Sequence, residues 1–167
     1  MSHSLAYTNK DLLAILQDTK TIAMVGASPK WNRPSFFAMK YLQEKGYRVI
    51  PVNPGVAGKE ILGETVYASL AEIPGKFEMV DIFRNSAAAG PITEEAIAVA
   101  KKKGIKVIWM QLDVINHEAA CKAEAAGLTV VMNRCPKIEF GRLNAELSWG
   151  GFNSGIITAK RRRVRLT

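Results

Sequence analysis

The chain is poor in the residues that most often announce chemistry. Its 167 residues include two histidines, His3 and His117, and two cysteines, Cys121 and Cys135. The cysteines form no C-x-x-C pair and no metal-ligand spacing, so neither a zinc site nor a disulfide framework is expected, and no metal is assigned. No apolar run approaches the ~20 residues that span a bilayer. The start, MSHSLAYTNKD, has no basic region followed by an apolar stretch, so no secretory signal is read. These absences lead to the expectation of a cytoplasmic protein with reduced thiols and no membrane contact. Two glycine signatures are missing as well. Of the dinucleotide fingerprint G-x-G-x-x-G only Gly26 survives, and the P-loop pattern ending in Lys-Ser or Lys-Thr is absent.

With 48% hydrophobic and 23% charged residues, the composition is that of a soluble globular protein. The length suits one domain, read as residues 1–149, followed by a tail over 150–167. The formal charge of +8 is concentrated in that tail, where Lys160, Arg161, Arg162, Arg163 and Arg165 stand without a nearby acid. The body is therefore only mildly basic, and nucleic acid is not its expected partner. The tail is read as a solvated end, or as a strand latched onto a neighbouring subunit of a homo-oligomer. A nucleic-acid contact is the alternative use of those charges.

Apolar runs and helical patterns alternate along the rest of the chain. A first helix is expected after Thr8, with Asp11 at the capping-box position. Strands are expected at 21–27, 47–53, 79–84, 106–111 and 128–133, and helices at 35–45, 91–103 and 116–126, each followed by glycine. Near-continuous apolarity in the strands implies burial on both faces, as in a parallel sheet. The prediction is an α/β fold, a doubly wound parallel sheet of about five strands ordered 3-2-1-4-5 along the chain. Residues 55–74 are less regular, with a short strand expected near Glu64–Tyr67. The acids Glu94 and Glu95 and the bases Lys101, Lys102 and Lys103 fit the two ends of one helix dipole and are read as a solvated face.

Ligands in such a sheet sit beyond the carboxyl ends of the strands. The expected site is thus the set of strand ends. The first is the turn Gly26, Ala27, Ser28 and Pro29, which leads into a helix start at Pro34-Ser35 and offers backbone N–H groups to an anion. Arg33, Lys59 and Arg84 supply positive charge for phosphate. Asn53, followed by Pro54, stands where a dinucleotide enzyme for NAD carries Asp or Glu on the ribose hydroxyl. A neutral amide there admits a phosphorylated ribose, which means NADP or coenzyme A.

The blocks G-A-S-P at 26–29, N-R-P-S at 32–35, P-V-N-P at 51–54, I-L-G-E at 61–64, V-D-I-F-R at 80–84, W-M-Q at 109–111 and N-R-C-P at 133–136 resemble the stand-alone CoA-binding protein family over roughly residues 10–145. That family is similar to the N-terminal CoA-binding domain of the succinyl-CoA synthetase alpha subunit. The resemblance implies a Rossmann-like fold that holds coenzyme A or an acyl-CoA. Position by position, Gly26 to Pro29 would wrap the phosphates, Lys59 would meet the nucleotide end, and Met110 and Gln111 would lie beside the pantetheine arm. Arg33, Ser35 and Arg84 are assigned to phosphate. The family commonly continues W-M-Q with leucine, glycine and valine, whereas this chain has Leu112-Asp113-Val114.

The synthetase's phosphorylated histidine and second domain have no counterpart here, so no catalytic residue is assigned. His3 is read as part of a loose terminus and His117 as a solvated residue. Cys135 is read as a packed thiol, with a mixed disulfide to coenzyme A as the alternative. The expected function is non-catalytic binding of coenzyme A or an acyl-CoA. An NADP-linked oxidoreductase, or a CoA-dependent enzyme subunit that needs a partner chain, stands as the alternative.

Overall fold

The computed structural model describes residues 3–144, so the basic tail lies outside the described residues. The chain begins with α1 (Asn9–Asp18), started by Thr8, whose Oγ1 accepts from the Asp11 N–H at 3.1 Å and donates to the Asp11 carboxylate at 2.6 Å. Five parallel strands follow: β1 (Thr21–Val25), β2 (Arg48–Val52), β5 (Met79–Ile82), β6 (Val107–Met110) and β7 (Thr129–Val131). The hairpin of β3 (Glu60–Ile61) and β4 (Glu64–Thr65) interrupts the series.

Helices cover both faces. Side chains alternate across β1, so that Ile22 and Met24 meet Leu12 and Leu16 of α1, Met39 and Leu42 of α2 (Pro34–Glu44) and Phe140 of α5 (Pro136–Leu143). Ala23 and Val25 point the other way, toward Ala89 and Ala96 of α3 (Ser86–Lys103) and Ala119, Ala120 and Ala123 of α4 (His117–Ala125). Small residues on α3 and α4 let those helices approach the sheet closely. This is the doubly wound, Rossmann-like arrangement expected from the sequence.

The strand order corrects one expectation. The sheet runs β2-β1-β5-β6-β7, which is 2-1-3-4-5 when the parallel strands are counted along the chain, rather than 3-2-1-4-5. The third parallel strand pairs with the first because the outer edge of β2 is already taken. Tyr67 donates to the Pro51 carbonyl and accepts from the Asn53 N–H, bridging to Val52 behind the hairpin. The crossover from β2 must therefore deliver β5 to the other side of β1. The point where the chain reverses direction across the sheet consequently lies between β1 and β5.

Two helix boundaries also differ. α3 begins five residues before Pro91, because the Asn85 side chain caps it by accepting from the Ala88 N–H at 2.8 Å, and the proline is accommodated inside the helix. α5 was not anticipated. It starts at Pro136, where a fixed φ and a missing N–H suit the first helical turn.

Candidate functional site

The carboxyl ends of β1 and β5 meet at Gly26. Its φ is +86°, and a Cβ placed there would sit 2.3 Å from the Phe83 carbonyl oxygen and 2.9 Å from Cδ of Arg84. Only glycine permits that approach, which brings Arg84 across the start of the first loop.

The loop from Gly26 to Arg33 is tied from two sides. Ser35 is buried, and its Oγ accepts from the Ser28 N–H at 3.1 Å, while Ser28 Oγ accepts from the Lys30 N–H at 3.2 Å. Asn53, at the end of β2, donates from Nδ2 to the Ala27 carbonyl at 2.8 Å and accepts at Oδ1 from the Gly55 N–H at 2.9 Å. Ala27 is buried and Pro29 exposed. Ser35 and Asn53 thus hold two loops in register; Ser35 does so through its oxygen as an acceptor, and Asn53 through both ends of its amide.

Arg33, Lys59 and Arg84 are exposed, and none forms an ion pair with a described residue. Arg33 stands at the N-terminus of α2, where no side chain caps the first turn and the positive end of the helix dipole adds to its charge. Lys59 follows the short 3-10 turn Pro54–Val56, in the loop after β2.

Beside Arg84 opens a cavity of about 810 Å³, walled by α2, the ends of β5 and β6 and the start of α5. Phe37, Phe83, Gln111, Leu112 and Cys135 line it together with Arg84. The structure therefore brings Arg84 and Gln111 into one wall. It does not bring Met110 there: Met110 is fully buried in the core against α3 and α4, because the strand's alternation turns it away. Trp109 is also fully buried, and its Nε1 donates to the Arg134 carbonyl at 2.8 Å.

Behind the cavity lies a polar pair. Gln111 donates from Nε2 to Oδ1 of Asp81 at 2.9 Å, while Asp81 Oδ2 is buried without a hydrogen-bond partner among the described residues. Burial pushes the Asp81 carboxyl up to about 7, only partly opposed by the Gln111 hydrogen bond. Burial likewise pushes the Cys135 thiol up, and the neighbouring Asp81 charge adds to it against the N–H groups of Ile138 and Lys137. A thiol that is 8% exposed and held protonated is a poor nucleophile, which favours the packed reading of Cys135. The signal for Asp81 was present in the sequence as a lone charge in an otherwise apolar strand.

Asp113 occupies the left-handed region at φ +63°, with its N–H donating to Asn133 Oδ1 at 2.8 Å. A position of that conformation is where glycine is most at ease.

Several expectations about polar side chains are corrected. His3 is anchored, with Nδ1 2.7 Å from Glu124 and Nε2 3.1 Å from the Tyr7 hydroxyl. His117 has a buried Nδ1 with no partner among the described residues, so it is not a freely solvated ring. Glu95 and Lys103 do more than complement a dipole. Glu95 accepts from the N–H groups of Leu70 and Ala71, and Lys103 is buried and donates to the Ile73 carbonyl, so both pin the 69–73 segment. Among the described residues no group of three or more His, Cys, Asp and Glu could hold a metal ion, and no helix is long and apolar enough to cross a membrane.

Residues 20–141 match the CoA binding domain family across the sheet, both loops and the cavity. The chain belongs to that family. Within it, the chain is similar to uncharacterized protein YneT of Bacillus subtilis (strain 168), with 36% identity over 77% of this chain and 90% of that one. A solved structure of a hypothetical protein from Pyrococcus horikoshii OT3 is 44% identical, with a TM-score of 0.76, and covers 86% of this chain and 99% of its own. The homologous region also occurs in the larger acetate–CoA ligase (ADP-forming) I subunit alpha of Pyrococcus furiosus, at 34% identity over 58% of this chain and 21% of the subunit. The CoA-binding domain thus exists both alone and at the head of a synthetase.

Proposed function

We propose that this protein binds coenzyme A or an acyl-CoA at the carboxyl ends of β1, β2 and β5 and performs no chemistry on it. The observation that carries the reading is the juxtaposition at the sheet's reversal point. There a glycine turn lies under Arg84, Arg33 stands at the start of the following helix, and a cavity opens alongside. Phosphates suit the cations and backbone N–H groups, and the pantetheine arm suits the cavity edge at Gln111. Lys59, Gly26, Ala27, Ser28 and Pro29 frame the nucleotide end. Ser35, Asn53 and Pro54 act by holding the loops in place.

Membership of the CoA binding domain family supports the ligand class. Binding without catalysis is supported by the cavity wall, where among the described residues no histidine or carboxylate lines the space and burial keeps the Cys135 thiol protonated. The test is equilibrium dialysis of the ligand-free chain against coenzyme A. One saturable site per chain is expected. Retention no greater than that of an unrelated protein of equal charge would overturn the reading.

A further inference from the structure

We infer that the ligand bound here is an acyl-CoA whose aliphatic chain lies between α2 and α5. The inference rests on the coenzyme A reading above and narrows it. Three large apolar side chains from separate segments border the same cavity while standing open to solvent: Phe37 at 48%, Leu112 at 51% and Ile138 at 41% exposure. Ala38 and Val114, both buried, line it behind them. Isolated apolar residues on a surface need no explanation, but three converging on one concavity do.

The cavity lining is mixed. Arg84, Asn85 and Gln111 stand on its wall beside the strand ends, next to the proposed phosphate loop, while Phe37 of α2, Ile138 of α5 and Leu112 after β6 supply apolar surface, with Asn32 and Lys137 beside it near the starts of α2 and α5. An occupant must therefore join an anionic, hydrogen-bonding part to an apolar part. The bare pantetheine arm ends in a small thiol after two amide groups and leaves the apolar wall uncovered. A thioester with an alkyl chain covers it, and the phosphates of the same ligand complement the cations at the other end. The volume, about 810 Å³, lies within the ~300–1,000 Å³ range of small-molecule sites, which favours such a ligand over a protein surface as the occupant.

The experiment is a calorimetric titration of the full chain with coenzyme A, acetyl-CoA and hexanoyl-CoA in one buffer. Each methylene that leaves water for an apolar wall strengthens binding about threefold to fourfold, so hexanoyl-CoA should bind at least about tenfold tighter than acetyl-CoA. Phe37→Ser and Ile138→Ser, both at exposed positions, should each shrink that step. Equal affinity for the three ligands, or a preference for free coenzyme A, overturns the acyl inference and leaves the cofactor reading standing. If none of the three binds, the cofactor reading fails and the acyl inference fails with it.

Discussion

Gln111, just past the end of β6, and Asp81 in β5 are joined by a 2.9 Å hydrogen bond, and the second carboxylate oxygen has no partner among the described residues. Burial raises the Asp81 carboxyl to about 7. The folded protein therefore holds a proton that the unfolded chain releases near pH ~4. Stability is fully favoured by this group below the unfolded value and is lost as pH rises through the folded one. Unfolding free energy should thus fall between about pH 4 and about pH 8, by up to ~4 kcal/mol from this residue. In Asp81→Asn that part of the slope should vanish, as read by urea denaturation across the pH range. An unchanged slope contradicts the assignment.

The α/β class, all five parallel strands and four of the five helices were legible because buried parallel strands are apolar throughout, Thr8 and Asp11 mark the start of α1, and α2, α3 and α4 are followed by glycine. The strand order was not. It depends on Tyr67 capping the edge of β2, a contact between a loop residue and a strand that no periodicity reports. In the site, Gly26, Arg84 and Gln111 were readable from their places at strand ends. Met110 was misplaced by the one-residue alternation of β6, which turns adjacent side chains to opposite faces. Asn53 reads in the sequence as a polar group near a ligand, but a sequence does not reveal that both ends of its amide are engaged in holding two loops together.

Asn53 links the loops after β1 and β2 through both ends of its amide. Asn53→Ala should cost about 1–3 kcal/mol of stability by stranding two backbone groups. Asn53→Asp should cost more, because a carboxylate would face the Ala27 carbonyl. Thermal unfolding of the two variants checks the order, and equal losses would contradict a role for the Nδ2 donor.

Asp113 pays for a left-handed backbone that glycine adopts freely. Asp113→Gly should raise stability by about 1 kcal/mol. A loss measured by chemical denaturation would mean that the Asp113 side chain contributes more than its backbone strain costs.

Arg84 is exposed, pairs with no described acid and lies across Gly26. Arg84→Ala should leave stability within about 0.5 kcal/mol. It should weaken coenzyme A binding about tenfold or more, since a hydrogen bond to a charged group contributes ~1.5–3 kcal/mol. Fluorescence-monitored unfolding and ligand titration on the same preparation separate the two effects. Loss of stability with unchanged affinity would place Arg84 outside the site.

The most direct test of the central claim is competition at one site: the ligand-free chain titrated with coenzyme A, then with NADP and NAD, at a single pH and ionic strength. The account predicts saturable coenzyme A binding that neither dinucleotide displaces at comparable concentration. Tighter binding of NADP would contradict it and turn attention to reductase substrates.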